Sequence, residues 1–503
     1  MTEANSARLL PRPKVRDWLL LLLLTATSVL LHGYHYGHQD LATWLPPIKQ
    51  HLDPALYPYN SMFFLALANL TLFDELVAYS VKITHLPLDL GVFLWHLLAI
   101  LLVLLGCLKL SRRCFTAPAA QWAAVTTVWA VRLLPIAGTK LNLMDRYLHP
   151  RDLATGALLL GLVAVLDGRL TALVWVVLAA LMHPTMAIFG AFHLAVQAWK
   201  LPQPSPAMFL LLSFGGAFWL LIPNAAWREV LATRPYLFPL QWHWYEWLSL
   251  AAVLIVLAWF AQVARRDAGA GCVRPTVEHI SRRVLLAGIL GIAGSLAITT
   301  VPAFERFIPT EPMRTLHFVY LLVVFLGGGL LGEHFLRDRP GRWLAFLVPI
   351  CLAFFISNPL FYPSSPHIEW PGRVPRNAWV EAFDWARRNT PSQALFALDP
   401  THMSRPGEDS HGFRAFAERS MLVDWVKDRA VAADIPELAS TWRQQVRDQE
   451  PWRDFGLEDF RRLRQKYGVT WVVLERGNTK IQPGAGGLPC PFENTAVLVC
   501  RVE

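Results

Sequence analysis

The chain has 503 residues, of which 54% are hydrophobic and 17% charged, and its formal net charge is +9. So much apolar surface on so long a chain excludes a single soluble core and is typical of an integral membrane protein. From residue 359 onward, nineteen Lys and Arg balance nineteen Asp and Glu, so the whole positive excess lies before that point. We therefore interpret the charge as a signal of membrane topology and predict no nucleic-acid partner.

Apolar runs of bilayer length predict eleven membrane spans. The first contains a run of leucines but lacks a small-residue cleavage site, so we interpret it as a retained span and not as a signal peptide. In chain order the candidates lie at residues 17–33, 88–109, 119–137, 152–166, 170–182, 184–199, 206–223, 246–264, 284–301, 314–334 and 342–358.

Two regions leave alternatives open. Residues 170–182 and 184–199 meet at Pro184, which a continuous regular helix does not accommodate, so they form either two short spans or one kinked span. Residues 61–83 are apolar only in part, because charged side chains interrupt them, and they suit an interfacial amphipathic helix better than a span.

The distribution of basic residues predicts the orientation of the chain. With the N-terminus in the cytoplasm, the cytoplasmic segments collect seventeen Lys and Arg, whereas the outer loops carry nine. Because basic residues are enriched in cytoplasmic loops, this arrangement is the favoured one. It predicts that the long first loop, residues 34–87, and everything after residue 358 lie on the outer face.

The composition changes at a Pro-rich linker, residues 359–375, which separates a transmembrane domain (1–358) from residues 376–503. The last segment alternates between helical and strand patterns and predicts a small α/β domain. Its predicted helices are residues 377–389, 434–448 and 457–467, and its predicted strands are 394–398, 420–426, 470–475 and 495–500. Cys490 and Cys500 lie in this domain, and they form either a disulfide in an oxidising compartment or two unpaired buried thiols.

The chain contains no phosphate loop, dinucleotide fingerprint, zinc signature or nucleophile elbow, and "GGGLLG" from Gly327 indicates helix packing within a span. Instead, the loops predicted on the outer face gather carboxylates, histidines and arginines. They comprise His38, Asp40 and Asp53, residues 142–152, His183, residues 228–247 and residues 304–314. Transporters place ionisable groups near the bilayer midplane, so this pattern favours a site at the membrane surface.

These features together resemble the GT-C glycosyltransferase superfamily, and its uncharacterised bacterial branch most closely. The pattern runs "HQD" (His38–Asp40), "LDPALYP", "RYLHPRDLATGALLL", "MHPT" and "NTPSQALFALDP", and it extends over nearly the whole chain. The resemblance implies an α-helical polytopic membrane protein of about eleven transmembrane helices with a C-terminal extracytoplasmic α/β domain. It also implies a location in the bacterial inner membrane.

Members of this superfamily move a sugar from a polyprenyl-phosphate carrier to an acceptor, with an outer-loop carboxylate as base. Asp40 occupies the matching position, although the paired "DE" of the mannosyltransferases is absent. A carboxylate at the lipid interface is partly desolvated, so we expect its pKa to move towards neutrality. The alternative is an Asp that caps a helix or structures the loop.

For the chain as a whole, the alternative function is a non-catalytic transport or assembly component of surface-polysaccharide or lipid export.

Arg146, His149, Arg151 and Arg314 are the best candidates to bind the donor phosphate, because guanidinium groups match phosphate oxygens, and anchoring at the interface is the alternative. His183 either lines the cavity or satisfies backbone groups freed by Pro184. Asp53 precedes Pro54 and is a candidate substrate ligand, with a capping role favoured. No metal site is predicted, although a divalent cation bridging Asp40 and a phosphate stays open. The predicted partners are the lipid-linked donor, membrane lipid and a lipid, glycan or protein acceptor.

Overall fold

The computed structural model describes residues 13–199, 222–269, 273–375, 377–405, 409–477, 479–481 and 487–503. Helices dominate the part of the chain before the linker. They are α1 (Val15–His32), α2 (Leu41–Leu52), α3 (Met62–Ala68), α4 (Phe73–Thr84), α5 (Leu88–Cys114), α6 (Pro118–Ala130), α7 (Pro150–Leu166), α8 (Thr171–Met182), α9 (Pro184–Ala198), α10 (Ala225–Ala232), α11 (Trp244–Gly269), α12 (Pro275–Thr300), α13 (Thr315–Leu331) and α14 (Pro340–Phe361).

Six helical segments in the described part of the chain are long and apolar enough to cross a membrane. They are Val15–His32, Leu88–Cys114, Trp244–Asp267, Pro275–Thr300, Pro312–Leu336 and Pro340–Phe361. Since a bilayer core of about 30 Å needs roughly 20 apolar residues, these segments make the chain a membrane-embedded helical protein. Helices α6 to α9 coincide with further predicted spans but are shorter than these six segments. Most of the candidate span at 206–223 lies outside the described residues.

Glycines set the spacing between several of these helices. A Cβ atom added to Gly328 of α13 would lie 2.5 Å from Thr127 Oγ1 of α6 and 2.9 Å from the carbonyl oxygen of Ala123. A Cβ on Gly332, just beyond α13, would meet Ala123 at 2.5 Å. Small residues let membrane helices approach closely, so the interpretation of "GGGLLG" as a packing motif is confirmed.

The chain reverses direction at His183. Gly161, in the middle of α7, faces both α8 and α9, since a Cβ there would lie 3.3 Å from Trp175 Cβ and 3.1 Å from Leu194 Cδ1. The two helices therefore run side by side as an antiparallel pair, and not as one kinked helix. Pro184 occupies the first position of α9, where its missing N–H costs no helical hydrogen bond.

The predicted single helix over residues 61–83 is wrong. This stretch forms α3 and α4, which are bent by 92° at a short break. The break is fixed because the backbone N–H of Leu72 donates to the carbonyl of Leu181, at the end of α8, over 2.7 Å. The first loop is thus anchored to the end of the helical pair that meets at His183.

The two ends of the helical body differ in their polar contacts. At the end opposite to the first loop, Arg112 pairs with Asp17 and Arg113 with Asp167, each at 2.6 Å. At the other end, the long first loop, the hairpin of β1 (Pro135–Ile136) with β2 (Leu141–Asn142), and the N-terminal ends of α7 and α13 surround a cavity. We call this the cavity end.

The C-terminal segment is the predicted α/β domain. Its helices are α15 (Ala378–Asn389), α16 (Phe413–Ala417), α17 (Lys427–Asp434), α18 (Ala439–Asp448) and α19 (Leu457–Tyr467), and its strands are β3 (Leu395–Leu398), β4 (Ser420–Met421), β5 (Trp471–Glu475), β6 (Phe492–Glu493) and β7 (Val497–Arg501). The sheet has the order β4-β3-β5-β7-β6; β3 is parallel to β4 and β5, and β7 is antiparallel to β5 and β6. Cys490 and Cys500 form a disulfide, which confirms the first of the two alternatives.

The predicted strand at 420–426 is correct only at its start, because β4 ends at Met421. Beyond it the chain turns and forms α17, a helix that the sequence pattern did not predict. The Asp424 carboxylate holds this turn by accepting from the backbone N–H of Val426 at 2.7 Å and of Lys427 at 2.5 Å. Such an acidic side chain satisfies the free N–H groups at a helix start.

The C-terminal domain is docked on the first loop. The Lys49 ammonium donates to the Ala415 carbonyl and to Glu418, both at 2.7 Å, and the Tyr57 hydroxyl donates to the Arg414 carbonyl at 2.9 Å. The backbone N–H of Gly412 donates to Gly37 over 3.0 Å. The contacts to the Ala415 and Arg414 carbonyls are buried, so domain and loop share one interior and the linker does not hold the domain apart.

Candidate functional site

A cavity of about 860 Å³ lies at the cavity end, between the helical body and the C-terminal domain. Its wall is assembled from distant parts of the chain: the first loop, the β1–β2 hairpin, the break at His183, the segment before α13, the end of α14 and α17. Among the described residues its lining includes seven basic side chains, Lys140, Arg146, Arg151, Arg234, Arg314, Lys427 and Arg429. It includes four carboxylates, Asp40, Asp145, Glu311 and Asp434. The cavity is therefore net basic.

Six of the seven residues selected from the sequence line this cavity. They are Asp40, Arg146, His149, Arg151, His183 and Arg314. Asp53 does not line the cavity. Its prediction as a substrate ligand is therefore corrected in favour of the structural role. It follows the last residue of α2, is exposed, and accepts from the backbone N–H of Ala55 at 3.0 Å. This is the turn-forming role that an Asp before a Pro often has.

Asp40 is the residue immediately before α2, but its side chain makes no capping hydrogen bond. Instead one carboxylate oxygen lies 2.8 Å from the Lys427 ammonium and the other 3.4 Å from His149 Nε2. About 43% of the side chain stays accessible inside the cavity. The carboxylate thus faces the cavity, with one cation and one imidazole beside it.

The expected rise in the pKa of Asp40 is wrong. Burial does favour the protonated form, but the Lys427 charge and the hydrogen bond from His149 outweigh it and hold the pKa well below its usual range. His149 is oriented for this contact, because its Nδ1 accepts the backbone N–H of Arg151 at 3.0 Å. A neutral ring whose Nδ1 accepts carries its proton on Nε2, so His149 donates to Asp40.

The other selected residues differ in how free they are to bind a ligand. Arg151 is 2% exposed and pairs with Asp145 at 2.5 Å, so its charge is already compensated. Arg146 donates to the His32 carbonyl at 3.0 Å and lies over the Tyr362 ring, with no carboxylate in contact in the described part of the chain. A compensated guanidinium stabilises the site, whereas an uncompensated one attracts anions.

Arg314 belongs to a buried charge network at one side of the cavity. It pairs with Glu311 at 2.5 Å and lies 3.3 Å from His183 Nε2. Glu311 also pairs with Arg234 at 3.0 Å. His183 has a second contact through Nδ1, 3.0 Å from the Thr185 hydroxyl at the start of α9. It therefore meets both roles considered for it, since it supports the broken helix and lines the cavity.

Two basic residues that the sequence did not single out complete the basic wall. Lys140 lies between β1 and β2, with its ammonium 5.1 Å from the centre of the Tyr236 ring, and Arg429 lies on α17 over Trp425. Neither forms an ion pair within the described ranges. Burial, and then the positive charges of Arg429 and Arg234, lower the pKa of Lys140. Positive charges that lower one another's pKa form a favourable place for an anion.

Asp434, the last residue of α17, is a second carboxyl group in the cavity wall. Its nearest cation is Arg234 at 3.5 Å, a longer contact than those of Asp40. Burial raises its pKa to about 7, although Arg234 acts in the opposite direction and Glu311 adds to the rise. A carboxyl group with a pKa near neutrality can both give and accept a proton. The sequence pointed to neither this residue nor the helix that carries it.

The comparisons with known proteins concern the domain that supplies α17. A family model described as a domain of unknown function, DUF6798, matches residues 377–448. No curated protein matches the chain. The matched segment contains Lys427, Arg429 and Asp434, and it is therefore the part of the C-terminal domain that closes the cavity.

Proposed function

We propose that the protein is a membrane glycosyltransferase of the GT-C type, which transfers a sugar from a polyprenyl-phosphate-linked donor to an acceptor at the extracytoplasmic face. One observation carries this proposal: six residues selected from four separate segments of the sequence line one cavity at the end of the membrane helices. A large cavity in which ionisable side chains from distant segments converge is the usual candidate for a ligand-binding site.

The basic wall suits the phosphate of the donor. Arg146, Lys140 and Arg429 have no carboxylate in contact among the described residues, whereas Arg314 and Arg234 are held in place by Glu311. Guanidinium groups keep their charge beside lipid and match phosphate oxygens in pairs. Because the cavity adjoins helices that cross the membrane, a polyprenyl chain can stay in the lipid while its phosphate enters the cavity.

Asp40 is the proposed general base. The acceptor hydroxyl attacks the anomeric carbon of the donor sugar, its proton passes to the Asp40 carboxylate, and the bond to the phosphate oxygen breaks with its electron pair. The polyprenyl phosphate leaves with that charge, which the basic wall stabilises. Since the low pKa keeps Asp40 ionised, it is available as an acceptor at every physiological pH.

The location also belongs to the proposal. We place the chain in a bacterial inner membrane with the N-terminus in the cytoplasm, supported by the seventeen basic residues of the predicted cytoplasmic segments against nine outside. The disulfide between Cys490 and Cys500 supports an oxidising environment for the C-terminal domain. Both observations support a cavity on the periplasmic side.

A second candidate function is a non-catalytic component of surface-polysaccharide or lipid export that kept the GT-C fold. The ion pair between Asp40 and Lys427 favours it, because a carboxylate that is paired at 2.8 Å is a weaker base than a free one. Under this alternative, the cavity binds a lipid-linked sugar without breaking the glycosidic bond.

The test is the substitution Asp40→Asn in the purified protein, assayed with polyprenyl-phosphate sugars. Loss of a general base lowers turnover by about 10²–10⁴-fold. Asp53→Asn is the matched control, because it removes an exposed carboxylate at the other end of the same helix and should leave turnover unchanged. Binding of the donor should survive in Asp40→Asn, since the basic wall is intact.

Other outcomes separate the alternatives. Unchanged turnover in Asp40→Asn, together with loss in Asp434→Asn, would assign the base to the second carboxyl of the cavity. Wild-type protein that binds a polyprenyl-phosphate sugar but never transfers it would favour the export component. Absence of both binding and transfer across such donors would refute the proposal.

A further inference from the structure

A second group of polar side chains lies on the first loop, away from the cavity. His51 is in the last turn of α2, and Asp74 and Glu75 are in the first turn of α4. One ligand atom from each of the three lies within 4.8 Å of the other two. Helices α2 and α4 pack against each other, so both contribute rigid backbone to this group.

Among the described residues, no Lys or Arg balances the charges of this group. Asp74 is 1% exposed, and its Oδ2 atom lies 2.8 Å from His51 Nε2. Its other oxygen, Oδ1, and Glu75 Oε2 are both buried and have no hydrogen-bond partner. In the described part of the chain no Lys or Arg pairs with either carboxylate. Two adjacent carboxylates, each with a buried oxygen that has no partner, are costly unless a positive charge lies between them.

The two carboxylates are neighbours in the first turn of α4, and each has a buried oxygen atom without a hydrogen-bond partner. The positive end of the α4 dipole offsets part of this cost but provides no partner for the vacant buried oxygens. A bound cation would join the two carboxyl groups, and the imidazole beside them would supply a third ligand.

We propose that His51, Asp74 and Glu75 bind one divalent metal ion of the Zn²⁺ class. Zn²⁺ accepts both imidazole nitrogens and carboxylate oxygens as ligands, whereas Mg²⁺ and Ca²⁺ prefer oxygen ligands alone. The His51 side chain is about 37% exposed, so the ion reaches the site from solvent and completes its coordination with water. This inference does not depend on the proposed glycosyl transfer.

The expected role of the ion is structural. Eleven residues of helical rise, roughly 16 Å, separate His51 from Asp40 at the start of the same helix, so the ion lies outside the cavity. By joining the end of α2 to the start of α4, it fixes the helix that positions Asp40. The site therefore supports the cavity without touching a substrate.

The experiment uses the whole purified protein in detergent, stripped with a chelator and titrated with Zn²⁺ by calorimetry. We expect one ion per chain at this site, a higher unfolding temperature with Zn²⁺, and no such rise with Mg²⁺. X-ray absorption at the zinc edge should show only nitrogen and oxygen neighbours, with one imidazole. No binding in the wild type, or sulfur neighbours, would overturn the proposal.

Variants locate the ion. His51→Gln and Glu75→Gln should each weaken Zn²⁺ binding at least tenfold, and they involve side chains exposed enough to be replaced without unfolding. Asp74→Asn should do the same, with circular dichroism as the check on folding. His85→Gln is the control, because His85 lies just beyond the opposite end of α4. Unchanged affinity in His51→Gln and Glu75→Gln would place the ion elsewhere and refute the assignment.

Discussion

The pKa of Asp40 depends on residues that are distant in the sequence. Its position just after the first span is visible in the sequence, but its ionisation is set by Lys427, which lies 387 residues later. Local sequence predicted a desolvated carboxylate with a raised pKa. The structure reverses that direction because the Lys427 ammonium group, 2.8 Å away, and the hydrogen bond from His149 together favour the charged form more strongly than burial disfavours it.

Replacing Lys427 with Met should therefore change the pH dependence of the proposed sugar transfer. In the wild type the low pKa keeps Asp40 ionised down to acid pH, so we expect the proposed transfer to fall only as pH drops through that pKa. Without the ammonium, burial raises that pKa, so the acid limb of the kcat/KM profile should move upward by about 1–3 pH units. Lys466→Met is the control, because Lys466 pairs with Asp448 outside the cavity. Identical acid limbs in wild type and Lys427→Met would contradict this account.

The sequence indicated the cavity residues that lie in the loops of the membrane domain, but not those that lie on α17. Arg146, His149, His183 and Arg314 were selected because they lie at the ends of apolar spans, where loop residues must meet at one membrane surface. Lys427, Arg429 and Asp434 lie on α17, a helix of eight residues that follows a strand-like pattern. Its place in the cavity depends on how the domain docks, which no local pattern reports.

Among the helices, too, some features follow from the local sequence and others depend on packing between distant segments. The glycines from Gly327 predicted close packing, and Gly328 does contact α6 through its bare backbone. The lengths of α8 and α9, by contrast, depend on the reversal at His183, which is fixed by packing against α7. A proline in a long apolar run is compatible with a kink or a reversal, so the sequence alone left both open.

Gly328→Ala should destabilise the helical body. The added methyl group would overlap Thr127 Oγ1 and the backbone oxygen of Ala123, and the helices must separate to make room. Overpacking of this kind costs about 1–3 kcal/mol, which should lower the unfolding temperature in detergent. Gly294→Ala serves as the comparison, because no atom lies within 4 Å of its added Cβ and alanine favours the helix. Equal melting of both variants would mean that α6 and α13 are not in contact.

At the scale of the whole molecule, the C-terminal domain packs against the first loop and forms part of the cavity wall. The sequence suggested a domain on a Pro-rich linker, since composition changes sharply at residue 359. What it did not reveal is that Lys49 and Tyr57 donate hydrogen bonds to the segment after residue 409, and that Gly37 accepts one from it. The boundary was therefore predictable, but the docking that creates the cavity was not.

Lys49→Met should loosen this docking. It removes the hydrogen bonds to Ala415 and Glu418 and leaves a buried carbonyl oxygen without its donor, at a cost of about 1–3 kcal/mol. Hydrogen exchange in residues 413–434 should then quicken by about tenfold or more, while α5 and α7 stay protected. Lys82→Met, an exposed lysine on α4, provides the control. Equal exchange in both variants would show that the domain is held by other contacts.

The short helices α8 and α9 have a consequence for the surrounding lipid. With 12 and 15 residues they rise about 18 and 22 Å, whereas the hydrocarbon of a typical bilayer is about 30 Å thick. The apolar surface of this helical pair is shorter than the hydrocarbon layer is thick, so we expect the membrane to thin beside it. Such hydrophobic mismatch brings the headgroup boundary down towards His183. The rate of the proposed sugar transfer should therefore depend on the acyl-chain length of the bilayer that holds the protein.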